Sequence, residues 1–198
     1  LEPMKKCILN VLSIATILLV THGTSAQTAK QPNIVILVAD DLGYADVGFR
    51  GSDIETPSLD RLADEGMVLQ RFYTAPICSP TRAALMTGRD PIRLGVAYGV
   101  LLPWDSGGVH TSEHFMPQSF RDAGYQTAIV GKWELGDQRE FLPTRQGFDS
   151  YFGIPFSNDM GHMDRPQPYR YTPLPVLQNE EVIDQETDKS YLTKRYTD

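Results

Sequence analysis

Asn33-Ile34-Val35-Ile36-Leu37-Val38-Ala39 is an unbroken apolar run rich in β-branched residues. It predicts a strand buried on both faces, the kind found in parallel sheets covered by helices. The run ends in Asp40-Asp41. A later predicted strand, Tyr125–Val130, ends in Gly131-Lys132. Ligands in open α/β sheets bind beyond the carboxyl ends of the strands, so charged residues at two such ends mark one edge as the place for chemistry. Helical patterns lie between the runs. Thr56 is placed to cap a helix beginning at Pro57, with Leu59, Leu62 and Ala63 as its apolar stripe and Gly66 as its stop. Met67–Tyr73 reads as a strand leading into the next loop. Gln118–Ala123 reads as a helix closed by Gly124. Strands alternating with helices predict an α/β fold.

Asp40 and Asp41 repel one another unless a cation lies between them, and an all-oxygen donor set favours a hard ion such as calcium or magnesium. Taken alone, the pair serves equally as a loop cap. Asp46 and Asp53 read as solvated loop residues. In Pro76-Ile77-Cys78-Ser79-Pro80-Thr81-Arg82-Ala83-Ala84-Leu85-Met86-Thr87-Gly88-Arg89, Ser79 suits an N-cap, Pro80 the first helical position and Gly88 the stop. A helix over Pro80–Thr87 follows. Cys78 then stands just before a helix N-terminus, where unpaired N–H groups and the helix dipole favour an anion. Arg82 adds a fixed cation in the first turn. Without its context Cys78 is an inert structural cysteine, and Lys132 a lysine snorkelling to solvent.

The pattern Cys78-x-Pro80-x-Arg82, continued by Ala83-x-Leu85-x-Thr87-Gly88-Arg89, resembles the signature of the type I sulfatases. Asp40-Asp41-Leu42-Gly43-Tyr44 resembles that family's opening, and Thr56-Pro57-x-Leu59-Asp60-x-Leu62-Ala63 its first helix. Gly131-Lys132-Trp133-Glu134-Leu135-Gly136 resembles its second signature, and Gly147-Phe148-Asp149-x-Tyr151-x-Gly153 a further stretch. Ser157-Asn158-Asp159-Met160 is similar to the arylsulfatase A and N-acetylgalactosamine-6-sulfatase branch. The resemblance implies the α/β alkaline-phosphatase-like sulfatase fold, here the N-terminal part of its large mixed-sheet sandwich domain. It implies hydrolysis of sulfate esters. Cys78 would be oxidised to formylglycine by a formylglycine-generating or sulfatase-maturing enzyme. Asp40, Asp41 and position 78 would hold calcium in preference to magnesium. Arg82 would support the formylglycine, and Lys132 would bind the sulfate. The substrate would be a sulfated small molecule or glycan.

One position departs from the family. Glu134 stands where its second signature carries His, and an ionised Glu accepts hydrogen bonds but cannot donate them. Altered activity, a protonated Glu134 and a shifted site are the three accounts open to it. The match runs in family order from Gln31 to about Met163, yet type I sulfatases are considerably longer. Their later Asp-Asn metal pair, His and Lys have no counterpart among these 198 residues. The 198 residues alone are therefore expected to be inactive and poorly stable, with calcium incompletely coordinated. A phosphonate or phosphate-ester hydrolase of the same fold and a non-catalytic relative are the rival readings.

The formal net charge of -7 and the lack of a basic stretch exclude a nucleic-acid binder. Met4-Lys5-Lys6, the apolar run Cys7–Val20 and the small residues Gly23-Thr24-Ser25-Ala26 predict a signal peptide over residues 1–26, cleaved near Ala26. Leu1-Glu2-Pro3 lie upstream of that start. Residues 27–198 are then the sulfatase portion, exported to the periplasm or secreted, with no stable membrane span because the apolar run is short. Cys7 leaves with the signal, so Cys78 would be the single cysteine of the mature chain. Tyr98 and Trp104 are candidates for stacking on a substrate ring or for covering the core. His110, His114, Asp159 and His162 are read as ordinary polar residues. A hairpin is expected around Gln178-Asn179-Glu180, and a helix opening over Ser190–Asp198.

Overall fold

The computed structural model describes residues 30–103, 105–161 and 172–198. The chain forms two units, Leu1–Leu42 and Gly43–Asp198. The predicted signal segment, Trp104 and His162 lie outside the described residues. Among the described residues no helix is long and apolar enough to cross a membrane.

In the first unit, residues 33–39 form no strand, and their apolar side chains are exposed, with Val35 at 80% and Leu37 at 77%. The expectation of a strand buried on both faces is corrected here. A run of this composition becomes a strand only where neighbours complete its hydrogen-bond ladder and cover its faces, and no ladder among the described residues includes it.

In the second unit, α1 (Pro57–Glu65) begins after Thr56 with Pro at its first position, as expected. Thr56 Oγ1 donates to Asp60 Oδ1 at 2.8 Å and accepts from the Gly48 N–H at 2.8 Å. These bonds fasten the 3-10 turn Gly48–Arg50 to the helix start. Leu59 and Leu62 of the α1 stripe stay exposed, and no residue of the helix is buried. Residues 67–73 form no strand, and Met67, Leu69, Phe72 and Tyr73 are exposed. The expected strand there is a second correction, with the same cause: β-propensity reports fit to a half-buried pleated surface, and this segment has none to fit. α2 (Cys78–Thr87) follows, then the 3-10 turn Pro91–Leu94 and α3 (Met116–Asp122).

The sheet has four strands in the order β1 (Ala128–Val130), β2 (Ser150–Gly153), β3 (Val176–Gln178) and β4 (Glu181–Asp184). β1 and β2 are parallel, pairing Ala128 with Ser150 and Val130 with Phe152; the other two pairings are antiparallel. This is the mixed sheet that was expected. Parallel neighbours need a long crossover, and residues 131–149 supply it through the 3-10 turns Arg139–Phe141 and Pro143–Arg145. Asp149 clamps the start of the pair: its Oδ2 accepts from the Thr127 N–H at 2.8 Å, and its own N–H donates to the Thr127 carbonyl at 2.9 Å. β3 and β4 form the expected hairpin, turning through Asn179 at φ 59°. The chain closes in the 3-10 turn Lys189–Tyr191 and α4 (Leu192–Thr197), also as expected.

Successive side chains of a strand point to opposite faces, and at β2 and β3 each face carries a core. Tyr151 and Leu177 join a core with Ala83, Met86, Phe115, Trp133, Leu135 and Phe148. Their neighbours Phe152 and Val176 pack instead with Ile154, Phe156, Leu174 and Leu192. The central strands thus lie between two cores, while Val130 on β1 and Val182 and Ile183 on β4 stay exposed.

The way the crossover is held can be tested at two residues. A Cβ on Gly153 would lie 1.9 Å from the Gly131 carbonyl oxygen, a backbone atom that cannot swing aside. Gly153→Ala should therefore lower stability by about 3 kcal/mol, the upper end of typical overpacking costs, measured as a fall in the denaturant midpoint at unchanged m-value. Glu180, at the β3–β4 turn, accepts from Arg145 and Arg139 of the crossover, at 2.6 Å from each Nε. Those bonds, Arg145 first, hold its carboxyl at about 2 instead of 4.5. A depressed carboxyl pKa stabilises the fold above its unfolded value and loses that contribution as pH falls through the folded one. Glu180→Gln should flatten the fall in melting temperature between about pH 4.5 and pH 2; an unchanged acid limb would contradict the linkage.

Candidate active site

The cysteine helix starts earlier than its sequence predicts. α2 begins at Cys78 and is preceded by Ile77 in an extended conformation (φ −142°, ψ 167°), so Ser79 is not the cap. Ser79 is buried inside the first turn, where its Oγ accepts from the Leu101 N–H at 2.9 Å. That long-range bond outcompetes capping. Thr81 takes the local role, donating to the Ala75 carbonyl at 2.7 Å and fixing the loop that enters the helix. Ser79, Ala83 and Met86 are buried at helical spacing, which seats one face of α2 in the core. Gly88 ends the helix at φ 66°, as expected. Cys78 is half-buried, in no disulfide, at the N-terminal end of this ten-residue helix. Arg82 lies one turn along from it.

The second half of the site is the segment after β1. Beyond the formal strands the ladder continues: Gly131 N–H bonds the Phe152 carbonyl at 2.9 Å, Trp133 N–H that of Ile154 at 3.0 Å, and Glu134 N–H that of Pro155 at 3.0 Å. Trp133, at 1% exposure, anchors it. Its Nε1 donates to the Phe141 carbonyl at 2.9 Å, and its rings lie 6.1 Å from Phe115 and 6.2 Å, edge-on, from Phe148. Burying an aromatic side chain of this size contributes about 3–5 kcal/mol by the cost of its truncation. Lys132 and Glu134 flank this anchor.

α2 and this segment are tied directly. Arg82 Nη1 donates to the Lys132 carbonyl at 2.5 Å. The Lys132 ammonium is 3.3 Å from Glu134 Oε2 and 3.3 Å from Ser157 Oγ. Both side chains of the ion pair are withdrawn from solvent, at 9% for Lys132 and 0% for Glu134. Glu134 holds this position with a left-handed backbone, φ 62°. Tyr151 is 2% exposed, and its hydroxyl bonds no other group among the described residues. Burial pushes this phenol well above its ordinary range, Tyr196 pushes in the same direction, and the Arg82 charge acts against both.

Arg82 and Lys132, predicted from separate motifs, therefore meet, and Cys78 shares Arg82's helix. Asp40 and Asp41 belong to the other unit; both carboxylates are exposed, and Asp41 has φ 55°. Tyr98 is 94% exposed and covers no core. His110 and His114 are engaged with Ser112 (2.7 Å) and Ser119 (2.8 Å), in keeping with ordinary polar roles. Sequence reasoning missed the contact of Ser157 with Lys132 and the placement of Tyr151 near Arg82. The first lies 25 positions away along the chain, beyond any local pattern. Tyr151 carried a signal, as an inward position of a strand beside a lysine-bearing strand end, but its hydroxyl's surroundings depend on packing.

The chain matches the family profile described as Sulfatase over residues 32–198. It is 40% identical over 191 residues to N-acetylgalactosamine-6-sulfatase of Mus musculus, covering 87% of this chain and 36% of that protein. It is 44% identical over 161 residues to arylsulfatase G of Mus musculus, covering 80% and 30% respectively. Among solved structures, that titled Ps i-CgsB superposes with a TM-score of 0.70 at 34% identity, over 84% of this chain and 39% of the other. The chain thus spans about a third of the length of these curated relatives. With the profile matched across most of the chain, the chain belongs to the sulfatase family.

Proposed function

We propose that the whole protein hydrolyses sulfate esters, with Cys78, Arg82 and Lys132 in its active site. The observation that carries this reading is the bond from Arg82 to the Lys132 carbonyl. It draws two cationic residues, from motifs 50 positions apart, to the cysteine-bearing helix. An ester anion binding there would meet the N-terminal end of α2 and a fixed guanidinium. Lys132 would take sulfate oxygens, and Arg82 would hold the charge that develops as the S–O bond to the leaving alcohol breaks. Preorganised cations act on such charge at no reorganisation cost during reaction. The net reaction consumes one water and releases alcohol and sulfate.

Formylglycine at position 78, made by a maturing enzyme, would supply a hydrated aldehyde whose hydroxyl is the nucleophile. Half-burial of Cys78 outside any disulfide is compatible with such a modification. Asp40 and Asp41 fit calcium by donor chemistry: they are adjacent, exposed hard-oxygen carboxylates. This ion takes six to eight oxygens, so the two carboxylates and position 78 would be only part of its shell. Bound calcium would supply positive charge toward the ester oxygens.

A glycan or small sulfate ester is the substrate class we favour. Ps i-CgsB has also been solved in complex with k-i-k-neocarrahexaose, which supports a carbohydrate. Export after cleavage near Ala26 belongs to the same proposal.

The test uses the longest natural reading frame containing residues 32–198, expressed with a maturing enzyme. The intact protein should release sulfate from 4-nitrophenyl sulfate faster than it cleaves the matching phosphonate monoester, and mass spectrometry should find formylglycine at position 78. Cys78→Ala should lower kcat at least a thousandfold. EDTA should abolish turnover, and calcium should restore it better than magnesium. Full activity in Cys78→Ala would sink the reading; phosphonate cleavage outrunning sulfate cleavage would transfer it to the rival class.

A further inference from the structure

An anion subsite gains from an uncompensated cation. Here the Lys132 ammonium has a carboxylate oxygen at 3.3 Å, and both side chains are buried. The Lys132–Glu134 pair contributes no net charge, and its negative end is held in place. Glu134 cannot swing away easily: its N–H is bonded to the Pro155 carbonyl at 3.0 Å, and Trp133 before it and Leu135 after it are each 1% exposed. Arg82, bonded to the Lys132 carbonyl, is the neighbouring positive group.

We propose that Glu134 is a specificity-determining residue whose carboxylate, paired to Lys132, tunes the subsite to esters bearing one negative charge and disfavours dianionic phosphate monoesters. A sulfate monoester carries a single charge at any pH the protein meets. A phosphate monoester carries close to two above its second pKa, near 6. Each unit of substrate charge meets the fixed carboxylate's repulsion, which an effective dielectric of about 20 weakens but does not remove at a few ångströms. The second charge doubles that penalty, so the effect falls on the ratio between the two esters. This rests on the sulfatase reading only in placing the ester anion at Lys132.

The experiment compares 4-nitrophenyl sulfate with 4-nitrophenyl phosphate at pH 8 on the intact protein, as wild type, Glu134→Gln and Glu134→Asp. Glu134→Gln should raise the phosphate-to-sulfate ratio of kcat/KM at least tenfold. Glu134→Asp, which keeps the charge, should hold the ratio within about threefold of wild type. An unchanged ratio in a folded Glu134→Gln protein overturns the proposal. If Glu134→Gln does not fold, Glu134→His, uncharged at this pH, takes its place with the same expectation. If the wild type turns over neither ester, the catalytic reading fails on its own. Calorimetric titration with phenyl sulfate and phenyl phosphate then decides the charge question: a tenfold relative gain for the phosphate in Glu134→Gln supports it, and parallel affinities in both proteins overturn it.

Discussion

The backbone ladder between Gly131–Glu134 and Phe152–Pro155 is the constraint on which the candidate site depends. It carries the parallel pairing of β1 and β2 past the formal strand ends. At its tightest point two glycines face each other, because no side chain fits between the Gly153 Cα and the Gly131 carbonyl. Lys132 and Glu134 inherit their positions from this ladder and from Trp133. A lysine on a solvent-exposed loop would spend side-chain entropy on every anion it held. A lysine whose ammonium is held by Glu134 and Ser157 has already met part of that cost in folding.

The second dependence is electrostatic. Arg82 reaches across from α2 to the Lys132 carbonyl, a neutral group that positions the guanidinium. Lys132 is handled the other way, against Glu134 and Ser157. The two cations of the candidate site are thus fastened, in part, by different kinds of group. That contrast comes from tertiary packing and has no counterpart in the local sequence of either residue.

Motif residues were legible in the sequence wherever local chemistry decides the outcome. Gly88 and Gly124 end helices because positive φ is needed there; Thr56-Pro57 starts one; Asn179 turns the hairpin. The mixed sheet and the closing helix were legible too. Ser79 was misread as a cap because its hydroxyl satisfies the distant Leu101 N–H instead, a choice local rules cannot see. Residues 33–39 and 67–73 were misread for a different reason. Their composition encodes burial, but a strand is a property of a pair, and the described residues offer these runs no ladder. The runs state a demand for partners that composition alone cannot meet.

Glu134 shows what the segment tolerates for its site. Left-handed backbone at a non-glycine residue costs about 1–3 kcal/mol, and burying an ion pair regains little net stability over an apolar one. Both costs fall on one residue. Three non-glycine residues with positive φ occur among the described residues: Asn179 serves the hairpin turn, while Asp41 and Glu134 each follow a run that the sequence singled out for chemistry. Such conformations persist only where the surroundings over-determine them. For Glu134 those surroundings are on hand: the ladder bond to Pro155, and the buried Trp133 and Leu135 on either side. Stability alone would favour an apolar or glycine residue at this position. The carboxylate makes physical sense if its charge acts on something that binds beside Lys132.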